Sequence, residues 1–315
     1  MLLWVLFIAF IIIALALDLG VFHRVPHEVS TKEAATWSAI WISCALLFSG
    51  VVYLSFLHGW VDNPTELTPR TAVVKYITGY LVELSLSVDN IFVIALIFSS
   101  FGIPRKYQHE VLFYGVLGAI VFRATMIFFG VSLIHRFDWV VYVFGLFLLY
   151  TALKLLLQKG GEADPRNSRI FRVIQRLYPT THKVEGDHFF VKIDGVRHAT
   201  PLLVALVIIE FMDLAFAVDS IPAVLAISSD PLIVFSSNIL AVMGLRSMFF
   251  FISSMIHKFR YINYSLVAIL AFVGLKLILS HHVEFPEWLS LSVILLSLGA
   301  GILASSLRPP PSAAE

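Results

Sequence analysis

Long apolar windows separated by brief polar junctions dominate the chain, at residues 2–22, 36–57, 76–98, 111–132, 138–157, 201–226, 232–255, 263–280 and 287–307. About 20 apolar residues cross the hydrocarbon core of a bilayer as a helix. Backbone exposed to lipid must satisfy its own N–H and C=O groups, which a helix does within one segment. The pattern therefore predicts an all-α fold, a polytopic membrane helix bundle of about nine transmembrane helices. Several junctions carry turn and breaker residues, as in Asp62-Asn63-Pro64, Gly102-Ile103-Pro104 and Ser229-Asp230-Pro231, which suits tightly connected helices. One polar stretch, 158–199, is long. Within it His188 to Ile193, Asp194-Gly195 and Val196-Arg197-His198 read as a two-stranded hairpin on an Asp-Gly turn. A lone hairpin is marginal in water, so it is expected to rest on the helices.

Composition sharpens this picture. Hydrophobic residues make up 59% of the 315 positions and charged residues 14%, against about one quarter charged in ordinary soluble domains. The formal net charge of +1 argues against a nucleic-acid partner, since neutralising phosphates requires clustered Lys and Arg. Position matters more than the total. One set of loops holds Arg24, Lys32, Arg105, Lys106, Lys258, Arg260, Arg308 and the basic residues of 158–199, whereas the opposite set holds Arg70, Lys75 and Arg136. The positive-inside rule then places the N-terminus outside and the C-terminus in the cytoplasm. No Lys or Arg precedes the first apolar run, so an uncleaved first span is expected in place of a signal peptide. Cys44 is the single cysteine, which excludes an intramolecular disulfide and a thiolate cluster.

An internal repeat organises the chain. Glu83-Leu-Ser-Leu-Ser-Val-Asp89-Asn90-Ile91 aligns with Asp213-Leu-Ala-Phe-Ala-Val-Asp219-Ser220-Ile221. Downstream, Gly118 to Arg123 resembles Gly244 to Arg246 after a small indel, Ile134 to Phe137 matches Ile256 to Phe259, and Leu153-Lys154-Leu155 matches Leu275-Lys276-Leu277. Chance likeness between apolar helices rarely aligns acidic, basic and His positions in one order. Three spans per copy make the two copies enter the membrane from opposite sides, giving two inverted three-helix repeats, an architecture typical of secondary transporters. The expected organisation is 1–75 for two N-terminal spans, 76–157 for the first repeat, 158–199 for a cytoplasmic loop, 200–282 for the second repeat and 283–315 for the last span and tail.

Candidate chemistry lies in the repeat motifs. Glu83, Asp89, Glu210, Asp213 and Asp219 sit inside apolar spans, where each ionisable side chain costs about 2.5–3.5 kcal/mol on the insertion scale. Something must neutralise them. A bound cation meets that need, and Asn90 and Ser220 add oxygen donors beside the two aspartates. Residues six apart on an unbroken helix diverge by about 9 Å along the axis and about 120° in rotation. A break at Pro222, which lacks an amide proton, is therefore expected to open backbone oxygen beside Asp219. Carboxylate, hydroxyl and amide donors without Cys or intramembrane His suit a hard divalent ion such as Mn²⁺, Ca²⁺ or Mg²⁺. The competing readings are a proton relay and structural pairing with Arg123 and Arg246. Two arginines leave about three of the five acids over. His182, His188 and His198 match no standard ligand spacing and read as polar residues of a cytosolic cap. Lys154 and Lys276, near helix ends, are expected to snorkel.

No Gly-x-x-x-x-Gly-Lys motif and no His-Glu-x-x-His motif occurs, so no enzyme activity, catalytic residue or resident cofactor is expected. Glu83 to Asn90, Glu210, Asp213 to Pro222, His188-Phe189-Phe190 and Ala199-Thr200-Pro201 closely resemble the TerC family, over about nine-tenths of the chain, and the chain looks like the Alx branch of that family. The resemblance implies a multi-pass protein of the bacterial inner membrane that exports Mn²⁺, related to the LysE superfamily and associated with tellurium resistance. It also implies a cation path through Glu83, Asp89, Asn90, Asp213, Asp219 and Ser220, with Glu210 as a further acid opposite Tyr80 of the first copy. A membrane scaffold or stress-resistance assembly factor with structural carboxylates is the alternative. The oligomeric state is left open.

Overall fold

A computed structural model describes residues 2–20, 29–63, 66–137, 139–157, 169–177, 179–181, 184, 186–193, 195–254, 262–279, 283 and 285–307. Ten helices and one hairpin follow in the order α1 (Leu2–Gly20), α2 (Thr31–Leu57), α3 (Pro69–Ser100), α4 (Arg105–Arg136), α5 (Val140–Leu157), α6 (Arg169–Leu177), β1 (Phe190–Ile193), β2 (Val196–Ala199), α7 (Pro201–Leu225), α8 (Pro231–Ser253), α9 (Ile262–Leu279) and α10 (Glu287–Leu307). Among the described residues seven helices are long and apolar enough to cross a membrane, namely α2, α3, α4, α5, α7, α8 and α10. Leu2–Ala16 and Tyr264–Leu279 are shorter apolar helices. The chain is a polytopic helical membrane protein.

Helix starts follow local chemistry. Pro69, Pro201 and Pro231 each open a helix, where the missing N–H costs nothing and the fixed φ is already helical. Ser30, Thr68 and Asp230 accept from the amides of Glu33, Thr71 and Ile233, satisfying donors that the first turn leaves without partners.

The packing crosses between the two halves. Helix α3 packs on α8 and α4 packs on α7, while α3 meets α7, α4 meets α8 and α5 meets α9. Exchanging α3 with α7, α4 with α8 and α5 with α9 leaves this set of neighbours unchanged. Around that core α2 lies on α3 and α8, and α10 lies on α9 and α3. Helix α8 is the interior element, buried along nearly its whole length, whereas α1 and α5 present Leu2, Val5, Leu6, Leu146, Leu153 and Leu156 outward, as lipid-facing helices do.

Helices α5 and α9 approach closely. A Cβ on Gly274 would stand 3.0 Å from the Gly145 carbonyl oxygen and 3.1 Å from the Leu148 Cβ, so backbone meets backbone there. Gly274→Val is expected to cost about 1–3 kcal/mol through overpacking. A lowered melting temperature of the purified protein in detergent, with wild-type helix content, checks it.

Two features differ from the sequence expectation. Helix α7 continues through Pro222 to Leu225 without the break expected there. The proline falls in the last turn, so only one carbonyl, that of Val218, loses its amide donor before the helix ends. Lys276 does not snorkel: it is buried and donates from Nζ to Ser290 Oγ on α10 at 2.9 Å. Lys154 is exposed, as snorkelling requires.

The hairpin forms in the expected register, with Ile193 opposite Val196 and Phe190 opposite Ala199. Gly195 has φ +82°, a conformation that a Cβ would oppose. The hairpin rests on the bundle through Phe189, whose ring meets Tyr114 of α4 edge-on at 5.3 Å. Thr200 Oγ1 ties it further by donating to the His188 carbonyl at 2.8 Å. Helix α6 was not anticipated from the sequence. Its Phe171 ring packs against Phe101 at the end of α3, 5.5 Å away.

Candidate functional site

The interior polar centre is made by four helices, two from each half. Arg123 of α4 is fully buried, at 0% exposure, as are Glu83 of α3 and Asn238 of α8, while Asp213 of α7 is 7% exposed. Arg123 Nη1 donates to Glu83 Oε1. Its Nη2 and Nε donate to Asp213 Oδ1 at 2.9 Å and Oδ2 at 3.3 Å, a two-pronged grip that suits a planar guanidinium. Asn238 fixes the arrangement from the far side, donating from Nδ2 to Glu83 Oε2 at 2.8 Å and accepting from Arg123 Nη1 at 3.4 Å. One cation therefore bridges Glu83 and Asp213, the acids that the alignment of the two motifs pairs. In low dielectric such a network holds only when each member is satisfied.

Glu210 lies one turn before Asp213 on α7 and touches a different part of α4. A Cβ on Gly118 would collide with both carboxylate oxygens of Glu210, so the carboxylate rests directly on the α4 backbone. Its Oε2 is buried and has no hydrogen-bond partner among the described residues. Gly118→Ala forces the end of a flexible side chain to move and leaves the helices in place. It is expected to preserve folding while reducing any function that uses Glu210 by about tenfold, which a transport assay beside a thermal melt separates.

Beside this centre is a small cavity of about 20 Å³, lined by Asn90, Gly115, Ala119, Met212, Asp213 and Leu245 among others, with room for roughly one water-sized occupant. Asn90 and Asp213 are the polar members of an otherwise apolar lining. The hydroxyls of Ser85 and Ser87 are buried without hydrogen-bond partners among the described residues, so unused oxygen donors lie between Glu83 and Asp89 in the first motif.

The sequence-derived set is thus divided. Glu83 and Asp213 come together around Arg123, Asn90 joins Asp213 at the cavity, and Glu210 and Ser220 each bury a polar oxygen nearby on α7. Asp89 and Asp219 belong to α3 and α7, and their side chains lie outside the described residues, as do His182 and that of His135. Among the described residues no group of three or more His, Cys, Asp or Glu side chains is poised to hold a metal ion. His188 sits on the surface near Asp187 at 3.5 Å, and His198 Nδ1 is 3.0 Å from the Val196 carbonyl oxygen, so those two do not converge. Asn238 was missed in the sequence, although Ser236-Ser237-Asn238 is a polar run in an otherwise apolar span, the signal that marks a buried polar contact.

Comparison with known proteins agrees with the architecture. The family described as integral membrane protein TerC family matches residues 68–311. An uncharacterized membrane protein of Myxococcus xanthus is 49% identical over 306 residues, covering 97% of this chain and 92% of its own. A Rickettsia bellii membrane protein is 40% identical over 305 residues, 97% of each chain. An Escherichia coli protein named as a candidate membrane-bound redox modulator, Alx, is 40% identical over 294 residues, covering 93% of this chain and 90% of its own. No solved structure is a significant match.

Proposed function

Since the chain belongs to the TerC family of integral membrane proteins, we propose that it carries a divalent metal ion across the bacterial inner membrane, with Mn²⁺ the favoured cargo and Ca²⁺ compatible. The observation that carries this reading is the meeting of Glu83 and Asp213, matching acids of the two copies, in the protein interior beside a small cavity whose otherwise apolar lining includes Asn90 and Asp213. Hard oxygen donors at that point suit a hard cation. The label-exchanging packing of α3–α5 with α7–α9 supports two inverted repeats that rock against each other around the centre, exporting metal by alternating access. Orientation follows the basic loops, with the N-terminus outside and the C-terminus in the cytoplasm. Asp89, Asp219, Glu210 and Ser220 complete the proposed path, and metal-proton exchange is a compatible source of work.

Arg123 favours a second reading. Its pairing with Glu83 and Asp213 is what a scaffold or stress-resistance assembly factor with structural carboxylates would contain. Nothing in that role requires cargo. The discriminating experiment measures Mn²⁺ entry into proteoliposomes holding the full chain, at symmetric pH and under gradients of both signs. Saturable entry above empty liposomes supports transport, and its absence under every gradient favours the scaffold.

A further inference from the structure

We propose that Arg123 is a tethered counter-cation: its guanidinium occupies Glu83 and Asp213 whenever the metal is absent, and the arriving metal displaces it. The inference deepens the transport reading and rests on it. A carrier that releases a cation must return across the bilayer with its acids exposed to an apolar interior, which is costly unless another cation neutralises them. Arg123 supplies one of the two positive charges that Glu83 and Asp213 call for. It is fully buried, it holds both Oδ atoms of Asp213 and one oxygen of Glu83, and those two acids come from opposite halves. In this scheme the returning carrier is balanced in part by a charge that never leaves the protein.

The surroundings set the direction in which the displaced side chain can move. Arg123, Ala119 and Gly115 follow one another at four-residue intervals, so they share a face of α4. Ala119 and Gly115 line the cavity whose lining includes Asp213, and side chains on a helix lean toward its N-terminus, here toward those two small residues. Asn238 serves both arrangements. Its amide already contacts Glu83 on one side and Arg123 on the other, so it retains a polar partner when either moves.

A surrogate cation has a kinetic signature that a purely structural arginine lacks. Exchange of Mn²⁺ for Mn²⁺ needs only the loaded carrier to cross, whereas net uptake also needs the empty carrier to return. In proteoliposomes Arg123→Gln is expected to lower net uptake by about tenfold or more while exchange of labelled for unlabelled Mn²⁺ stays within about threefold of wild type. Arg123→Lys keeps a cation but loses the two-pronged grip, and it decides the question if Arg123→Gln does not fold. It is expected to retain net uptake and to bind Mn²⁺ about three- to tenfold more tightly by calorimetry, because the weaker competitor is easier to displace.

Equal loss of exchange and net uptake in Arg123→Gln overturns the inference, as does full retention of both. Weaker or unchanged Mn²⁺ binding by Arg123→Lys also overturns it, since an arginine that merely positions the carboxylates would give that result. A wild-type protein showing neither exchange nor net uptake refutes the transport reading itself, and is thereby distinguishable from failure of the arginine's role alone.

Discussion

Arg123→Met is expected to cost about 3–5 kcal/mol of stability, the scale for removing one partner of a buried charge network, and to lower the melting temperature of the purified protein sharply. The reason is the imbalance left behind: Glu83, at 0% exposure, and Asp213, at 7%, lose the guanidinium that bridges them. Combining Arg123→Met with Glu83→Gln and Asp213→Asn removes both stranded charges together with the cation. Neutral amides avoid the uncompensated buried charge that makes breaking one partner so costly, although they still need hydrogen-bond partners, so the triple variant is expected to recover part of the loss. Thermal melts in detergent of the single and triple variants decide it. A single variant as stable as wild type would mean that the centre is not a closed charge network, and a triple variant no better than the single would place the loss in packing.

How much of this was legible depended on the kind of interaction. The spans followed from apolar windows because bilayer thickness sets helix length directly. The hairpin followed from Asp194-Gly195 because a two-residue turn fixes register locally. Glu83 and Asp213 stood out as equivalent acids of a repeat, but their convergence on one arginine depends on how α4 lies between α3, α7 and α8, which no local pattern encodes. Closeness of two acids along one helix would require a break at Pro222. The structure achieves closeness between helices, and α7 needs no break. Helix α6 was hidden for another reason. Ile170, Val173, Ile174 and Leu177 do repeat at helical spacing, but nine residues in a polar loop carry a weak signal beside twenty-residue apolar windows. Lys276 read as snorkelling because distance from a helix end is visible in sequence, whereas a hydroxyl on the neighbouring helix, Ser290, is not.

The second large effect concerns the aspartates that close the repeat motifs. Asp89 and Asp219 each stand six residues after an acid now seen bound to Arg123, Glu83 in one copy and Asp213 in the other. On a continuous helix that interval separates two backbone positions by about 120° of rotation, and both α3 and α7 are continuous there. Asp89 and Asp219 are matching acids of the two aligned motifs, each followed in the chain by a buried polar residue, Asn90 or Ser220. If Glu83 and Asp213 are shared between Arg123 and cargo, Asp89 and Asp219 supply the negative charge that keeps a dication favourable in the interior. Asp89→Asn and Asp219→Asn are each expected to lower saturable Mn²⁺ flux in proteoliposomes by at least about tenfold, the lower end of the loss when even outer-shell partners of a metal are removed. Folding should survive, because asparagine keeps the volume and removes a charge. Lys154→Gln, at an exposed lysine near a helix end, is expected to leave flux unchanged. Flux retained in both aspartate variants would make their carboxylates structural and favour the scaffold reading. Loss in one copy alone would make the path asymmetric, with Pro222 after Asp219 and Phe92 after Asp89 as the difference between the copies to test next.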